Sequence, residues 1–208
     1  LDVICMREGS DGEDQVIIDP HPLSPDHKIS ASIMGVSPDG RLLAYGLREG
    51  GEDERVLKIY DVEAGEDLAE EFSKSRYYDI MFEPEGTGFY YGDYDSLGER
   101  AYHHAFGTDP AGDPVVFGED LDPEKGLGVQ LSEDGRFLVY SVYYGSAARK
   151  SEIYFQDLGA GGDIQTVINT IDARFDGHVG GTTLFMSTTW KAPNGRIIAV
   201  DLENPSRQ

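Results

Sequence analysis

The sequence predicts an all-β chain built from one repeated unit. A turn followed by an extended apolar run occurs at 36–51 (VSPDGRLLAYGLREGG), 82–96 (FEPEGTGFYYGDYDS) and 131–146 (LSEDGRFLVYSVYYGS), and more faintly at 175–190 (FDGHVGGTTLFMSTTW). The turn glycines Gly40, Gly86 and Gly135 are roughly 46 to 49 residues apart, a period typical of β-propeller blades. One such unit cannot bury its apolar surface alone, so neighbouring units are expected to pack together.

Each repeat divides into four short strands. In the second repeat, β-branched and aromatic residues cluster in YYDIMFEP (77–84), TGFYYGDY (87–94), RAYHHAFG (100–107) and DPVVFGED (113–120). The segments between these runs are rich in Gly, Pro and Asp, which interrupt strands. Four strands joined by short connections predict a four-stranded antiparallel blade.

The same division predicts about three complete blades and partial blades at both ends. We expect blades at 29–75, 76–122 and 123–171, the end of a preceding blade at 1–28 and an incomplete blade at 172–208. EDLAEEF (66–72) is predicted as the fourth strand of the first complete blade, with at most one helical turn at 65–75. Residues 1–208 are thus interpreted as one part of a larger propeller domain.

The charge balance argues against a nucleic-acid partner. The chain has 39 Asp and Glu against 17 Lys and Arg, a formal net charge of −22, whereas phosphate binding requires a basic surface. The acidic residues are scattered through loops and strand ends, as expected for the hydrated surface of a salt-adapted protein. An ordinary acidic cytosolic protein is the alternative.

Cysteine content and hydropathy favour a cytoplasmic location. Cys5 is the only cysteine, so no intrachain disulfide and no zinc site of several thiolates can form. No window approaches 18 consecutive apolar residues, and we expect no membrane association. Because the first residue is Leu1, we expect that residues upstream were removed or not included.

Three segments carry a resemblance to a known family. QVIIDPHPLSPDHKISASIMGVSPDGRLLAYGLREGGED (15–53), YHHAFGTDP (102–110) and LSEDGRFLVYSVYYGS (131–146) occur in this order. Together they resemble the propeller of prolyl oligopeptidases, serine peptidases that cleave short peptides after proline. The resemblance implies a seven-bladed propeller inserted into an α/β-hydrolase domain of the same polypeptide, with this chain as the first half of the insert.

The resemblance also implies a function without catalysis in this chain. A hydrolase of that type needs a G-x-S-x-G elbow, and the sequence contains none. The chain is therefore expected to be inactive by itself, to cover the active site of its parent peptidase and to admit only short proline-containing peptides. The alternative is a stand-alone propeller that binds peptides or proteins. A homodimer closed through the incomplete terminal blades is a third hypothesis, because open strand edges invite pairing.

Four candidate site residues follow from the resemblance. Tyr77 matches an aromatic position of the family's proline-side specificity pocket, and Leu127 an apolar position of the substrate cavity. Ser146 falls where relatives can carry a cysteine near the cavity, so thiol-linked sensitivity is expected to be missing. Asp53 matches a residue that pairs with an arginine of the catalytic domain. A solvated loop carboxylate is the alternative for Asp53, since Glu52 and Glu54 flank it.

No cofactor or metal is predicted. His103 and His104 are adjacent in a predicted strand, where successive side chains point to opposite faces, so they cannot share one site. The other histidines lack a spacing that places two ligands on one face. Asp39 and Asp134 precede turn glycines, and we expect them to stabilise those turns.

Overall fold

The computed structural model describes residues 2–95, 97–145 and 149–205. These ranges form a series of antiparallel sheets, each made of strands that follow one another along the chain. Three 3₁₀ turns, each of three residues, interrupt the connections at His21–Leu23, Pro110–Gly112 and Leu158–Ala160. No helix in the described ranges is long and apolar enough to span a membrane.

Five sheets account for the strands. Sheet 1 contains β1 (Ile4–Met6) and β2 (Gln15–Ile18). Sheet 2 contains β3 (Ile29–Val36), β4 (Leu42–Glu49), β5 (Arg55–Asp61), β6 (Glu66–Asp67) and β7 (Lys74–Ser75). Sheet 3 contains β8 (Asp79–Phe82), β9 (Gly88–Asp95), β10 (Gly98–Ala105) and β11 (Val115–Phe117).

Sheets 4 and 5 complete the described chain. Sheet 4 contains β12 (Gly126–Leu131), β13 (Phe137–Tyr143), β14 (Ser151–Asp157) and β15 (Gln165–Ile168). Sheet 5 contains β16 (Phe175–Gly180), β17 (Thr183–Thr188) and β18 (Arg196–Asp201). The predicted fold class is confirmed: the described chain is all-β, with antiparallel sheets of four or five strands in the middle and smaller sheets at both ends.

The fourth strand predicted at 66–72 was wrong beyond Asp67. Glu66 and Asp67 pair with the end of β5, where the Leu68 N–H also donates to the Ile59 carbonyl (2.8 Å), and pairing resumes at Lys74–Ser75 opposite the start of β5. Between these pieces the chain leaves the sheet edge, and the Phe72 side chain is buried. Phe72 contacts the rings of Phe89 and Tyr91 in sheet 3. Burial of this ring between two sheets is favoured over continuing an exposed edge strand. We call residues 68–73 the insertion.

The turn role of the two aspartates is confirmed. Asp39 Oδ1 accepts hydrogen bonds from the Ser37 hydroxyl (2.6 Å) and from the Arg41 backbone N–H (3.0 Å), and Gly40 has a φ of 75°. Asp134 makes the same bonds with Ser132 and Arg136. These bonds favour the charged carboxylate and lower the pKa of Asp39 and of Asp134.

A second contact closes the same turn in two repeats. The Arg41 guanidinium donates to Asp61 at the end of β5 (2.8 Å), and the Arg136 guanidinium donates through two nitrogens to Asp157 at the end of β14 (3.1 and 2.9 Å). Each pair ties the turn before the second strand to the end of the third strand. Hydrogen bonds to the Asp61 carboxylate lower its pKa; the bond from the Ala64 N–H has the largest effect, and the bond from the Arg41 guanidinium the next largest.

The core lies between the sheets. One cluster joins sheets 2 and 3, a second joins sheets 3 and 4, and a third joins sheets 4 and 5. The cluster between sheets 2 and 3 is rich in aromatic rings and includes the insertion; its buried members are Leu42, Ala44, Leu57, Ile59, Phe72, Tyr78, Ile80, Phe82, Phe89 and Tyr91. Neighbouring sheets are therefore held together mainly by apolar burial.

Phe72→Ala is expected to destabilise the chain by about 3–5 kcal/mol, because it removes a buried ring between two sheets. Chemical denaturation followed by circular dichroism measures the change. Phe185→Ala serves as the matched control, since Phe185 is exposed in β17 and its loss is expected to cost about 1 kcal/mol or less. Equal losses for the two variants would show that the insertion does not anchor sheet 2 to sheet 3.

Candidate functional site

The structure brings two predicted site residues, Tyr77 and Leu127, to the same crevice. Tyr77 precedes β8 and Leu127 lies in β12, so each is at the first strand of its sheet. Four further residues line the crevice: Asp79, Gly92, Asp93 and Glu99. Its volume of about 10 Å³ is too small to enclose a ligand. The crevice is therefore a shallow depression in the surface, and it does not form a closed pocket.

Tyr77 contributes an exposed aromatic ring to this surface. Its residue exposure is 57%, and its ring lies edge-on to the partly exposed ring of Tyr94, with centroids 6.3 Å apart. Such a pair offers apolar area together with phenol groups that water can reach. Leu127, by contrast, is buried, and supports the crevice from behind.

Two carboxylates bond to the backbone beside Leu127. Glu99 Oε2 accepts a hydrogen bond from the Leu127 N–H, and Asp79 Oδ2 accepts one from the Val129 N–H at 3.4 Å. β12 pairs with β13 along one edge only, so these N–H groups lie on its other edge. Side chains of sheet 3 thereby satisfy backbone donors of sheet 4.

The same position raises the pKa of both carboxyl groups. Burial raises the pKa of Asp79, and the hydrogen bond from Val129 only partly opposes this effect. Burial also raises the pKa of Glu99, and the nearby charge of Asp79 adds to the increase. Although Asp79 is exposed at the surface, protein atoms crowd its carboxylate, and this crowding accounts for the direction of the shift.

Asp53 has a cationic partner within the chain. Its Oδ2 lies 2.8 Å from Arg76 Nη2, with both side chains largely exposed. Glu52 next to it pairs with Lys74 at 2.9 Å. The loop between β4 and β5 is therefore attached to the residues that lead to Tyr77. An exposed pair of this kind contributes only about 0–1 kcal/mol.

The fourth predicted site residue, Ser146, lies outside the described residues. Its neighbour Tyr144 belongs to a small polar cluster, in which the phenol donates to Glu152 Oε1 (2.5 Å). Lys125 and Lys150 lie over the Tyr144 ring, with their Nζ atoms 4.5 and 4.6 Å from its centroid. This cluster links Tyr144, which follows β13, to Lys150 and Glu152 at the start of β14.

The adjacent histidines use different partners, as expected from their opposite orientations. His103 Nε2 lies 2.9 Å from Glu83 Oε1, whereas His104 Nδ1 lies 3.0 Å from both carboxylate oxygens of Asp113. In the described part of the chain, no group of three or more His, Cys, Asp or Glu side chains is arranged to hold a metal ion.

Sequence reasoning did not identify Asp79 or Glu99. Asp79 lies 50 residues from the backbone group it bonds, and Glu99 lies 28 residues from its own. No local pattern marks such pairs, because they depend on how neighbouring sheets dock. An acidic residue two positions after Tyr77, within an otherwise apolar strand, was the one signal available.

A larger groove lies at the free edge of sheet 5. Its volume is about 910 Å³, and its apolar lining comes from β15, the β15–β16 connection, the β17–β18 connection and β18, including Val167, Ile171, Trp190, Ile198 and Val200. β18 pairs only with β17 among the described strands. The groove is distant in the chain from the crevice at Tyr77.

The repeated four-stranded sheets, packed through their apolar faces, define a β-propeller domain. A family model described as "Prolyl oligopeptidase, N-terminal beta-propeller domain" matches residues 2–208. The chain therefore belongs to the prolyl oligopeptidase N-terminal β-propeller family. This finding confirms the resemblance inferred from the sequence.

Individual relatives agree with the family assignment. The chain is 27% identical to a prolyl endopeptidase of Elizabethkingia meningoseptica, over 99% of this chain and 30% of the relative. It is 24% identical to prolyl oligopeptidase A of Amanita bisporigera, over 94% of this chain and 30% of that protein. The chain thus spans about a third of the length of the curated relatives it matches.

Solved structures give the same picture of the fold. A prolyl endopeptidase structure, from work on interdomain dynamics in catalysis and specificity, matches with a TM-score of 0.89 and 26% identity, over 99% of this chain and 32% of that chain. Prolyl oligopeptidase B from Galerina marginata, in its apo form, matches with a TM-score of 0.76 and 23% identity, over 91% of this chain and 29% of that chain. The second likeness concerns the fold alone.

Asp79→Asn is expected to raise the thermal unfolding midpoint at neutral pH. The raised pKa of Asp79 means that the folded state binds the proton more tightly than the unfolded chain, whose carboxyl pKa is about 3.9. Its stabilising contribution is present below that value and is lost as the pH rises through the folded pKa. Asparagine carries no charge at neutral pH, so it avoids this loss of stability, and its side-chain oxygen can still accept the hydrogen bond from the Val129 N–H.

Asp39→Asn is the control of opposite sign. Because hydrogen bonds lower the pKa of Asp39, its stabilisation is present above the unfolded pKa and is lost as the pH falls. Asp39→Asn should therefore lower the midpoint at neutral pH and have a smaller effect in acid. Thermal melts of both variants from about pH 4 to about pH 7 test the pair. A lower midpoint for Asp79→Asn at neutral pH would contradict the account of the crevice.

Proposed function

We propose that this chain is the propeller portion of a prolyl oligopeptidase-type serine peptidase that covers the active site and restricts access to short peptides. The observation that carries the proposal is the family match over residues 2–208. Its partner would be an α/β-hydrolase catalytic domain of the same polypeptide. Short proline-containing peptides would be the ligands.

The sequence supports a propeller without catalytic residues, which in the parent peptidase would lie in a different domain. Acyl transfer by a hydrolase of this class needs a Ser in a G-x-S-x-G elbow, together with an acid and a His. No such elbow occurs in the 208 residues. The propeller would then act by limiting which substrates reach the catalytic groups.

The crevice supports a role in contacting substrate. Tyr77 and Tyr94 present aromatic area on an open surface. The cavity between Tyr77 and Leu127 is too small to enclose a peptide, so a bound peptide would need a second protein surface on its other side. A substrate site formed jointly with a catalytic domain fits this geometry. Within it Tyr77 and Leu127 would contact the substrate, and Ser146 is proposed as a third substrate-binding residue.

Asp53 is proposed as an interdomain contact. Its carboxylate is 69% exposed and can be reached from outside, although Arg76 already occupies one side. An arginine from a catalytic domain would share or replace the Arg76 contact. Because exposed pairs are weak, Asp53 would adjust domain opening without holding the domains closed by itself.

Further properties belong to the same proposal. The sheets found at 29–75, 76–122 and 123–171 support the proposed blade division, with partial blades at 1–28 and 172–208. We infer a cytoplasmic location from the single cysteine. The formal net charge of −22 supports adaptation to salt.

A stand-alone binding propeller is the second candidate, and the groove beside β18 favours it. Its apolar lining, which includes Trp190 and Ile198, suits a peptide or protein partner. A homodimer through the terminal sheets would use the free edge of sheet 5. A monomeric mass in light scattering at micromolar concentration would count against the dimer.

Reading the gene beyond Gln208 separates the two candidates. Further propeller repeats followed by a G-x-S-x-G elbow are expected if the chain belongs to a peptidase. A reading frame that closes near Gln208 would favour the binding propeller. An intact mass of the natural protein checks that the frame is translated as one polypeptide.

The purified 208-residue chain is expected to show no hydrolysis of a chromogenic peptide with proline at the cleavage site. The physical reason is that no Ser nucleophile stands in an elbow beside an oxyanion hole. Release of p-nitroaniline measures turnover, and a complete prolyl oligopeptidase is the positive control. Turnover that co-purifies with the chain and persists in a preparation from a peptidase-deficient host would refute the proposal.

A further inference from the structure

A buried histidine lies between two carboxylates at the junction of sheets 2 and 3. His104, on β10, has no solvent exposure. Its Nδ1 lies 3.0 Å from both oxygens of Asp113, in the connection between β10 and β11. The Tyr91 hydroxyl donates to the same carboxylate at 3.0 Å. Asp113 is thus bonded from two sides within sheet 3.

The other ring nitrogen faces the insertion of sheet 2. His104 Nε2 makes no hydrogen bond, and Glu70 Oε1 lies 3.9 Å away from it. Glu70 is nearly buried, with its side chain 9% exposed, and the same oxygen accepts a hydrogen bond from the Gly107 N–H at 2.8 Å. The rings of Phe72 and Phe89 flank the imidazole, at centroid distances of 5.0 and 5.3 Å.

Each ring nitrogen of His104 faces a carboxylate. In the described part of the chain, neither Glu70 nor Asp113 forms a salt bridge with Lys or Arg, and Asp113 is 3% exposed in its side chain. A neutral ring would direct a nitrogen lone pair at one of the two carboxylates. An imidazolium presents an N–H to each, and a buried charge requires such pairing.

The remaining titratable groups nearby do not supply a competing cation. Tyr91 on β9 has its pKa raised by burial and by the charge of Asp113, so its phenol stays neutral and donates. Asp93 and Tyr78 also raise the pKa of the Tyr91 phenol. His103, on the opposite face of β10, bonds to Glu83. Glu71, next to Glu70 in the insertion, is exposed.

We propose that His104 is a proton-dependent latch, whose imidazolium holds Glu70 and thereby fastens the insertion of sheet 2 onto sheet 3. Loss of the ring proton removes the attraction and leaves a lone pair facing the carboxylate. The latch is therefore closed while the ring carries both protons and opens when it has lost one.

The latch also acts on the candidate site through the chain itself. The insertion continues directly into β7, and β7 leads to Arg76, which binds Asp53, and to Tyr77. Fastening the insertion therefore limits the positions that Tyr77 can adopt. The latch is a property of the folded chain, and its test does not depend on the proposed peptidase role.

The experiment is an NMR titration of the ¹⁵N-labelled 208-residue chain from about pH 5 to about pH 8.5, a range that covers histidine titration. Imidazole ¹⁵N shifts report whether His104 carries one or two protons. Exchange of the Gly107 amide, expressed as a protection factor at each pH, reports whether Glu70 is docked. We expect a doubly protonated ring at low pH and a loss of Gly107 protection of at least about tenfold once the proton leaves.

Glu70→Gln and Glu71→Gln form the matched pair of variants. Glu70→Gln is expected to remove the pH dependence of Gly107 protection, whereas Glu71→Gln, which changes an exposed neighbour by the same amount, is expected to leave it unchanged. A His104 ring that keeps a single proton throughout, or Gly107 protection that does not vary with pH, would overturn the proposal. If Glu70→Gln fails to fold, the titration of the wild-type ring still decides between these outcomes.

Discussion

Burial of the sheets on both faces is the constraint on which the rest of the structure depends. In β13 every residue from Phe137 to Val142 is buried. Successive side chains of a strand point to opposite faces, so such a run can be buried only if both faces of the sheet are covered. Each sheet therefore requires its neighbours, and stability is distributed over the contacts between adjacent sheets.

Stacking of this kind leaves one edge of each inner strand without a strand partner. Glu99 and Asp79 accept hydrogen bonds from the free edge of β12, and the Gln130 amide bonds both Gly177 and Val179 of β16. These side chains satisfy backbone groups that would otherwise be lost from water. Carboxylates in this role are partly desolvated, which accounts for the raised pKa of Asp79 and of Glu99. The crevice beside Tyr77 is thus a consequence of how the sheets are joined.

Most of the strands could be predicted from the sequence, because apolar runs and turn residues are local signals. The turn aspartates and the opposite orientation of His103 and His104 could be predicted for the same reason. The insertion could not, since EDLAEEF has the alternation of an edge strand and only the neighbouring sheet offers Phe72 a buried position. Tyr77 and Leu127 were predicted from the family resemblance, whereas the contacts of Asp79 and Glu99 join distant parts of the chain and leave no local signal.

The stretch from Leu68 to Tyr77 shows why core and site cannot be separated in this chain. Phe72 belongs to the core between sheets 2 and 3, and Lys74–Ser75 completes the edge of sheet 2. Arg76 then holds the β4–β5 loop, and Tyr77 enters the crevice. Ten residues of backbone allow little independent adjustment between these contacts. The position of the exposed tyrosine is therefore set by the same packing that joins the two sheets, and a shift between the sheets must also move the aromatic surface.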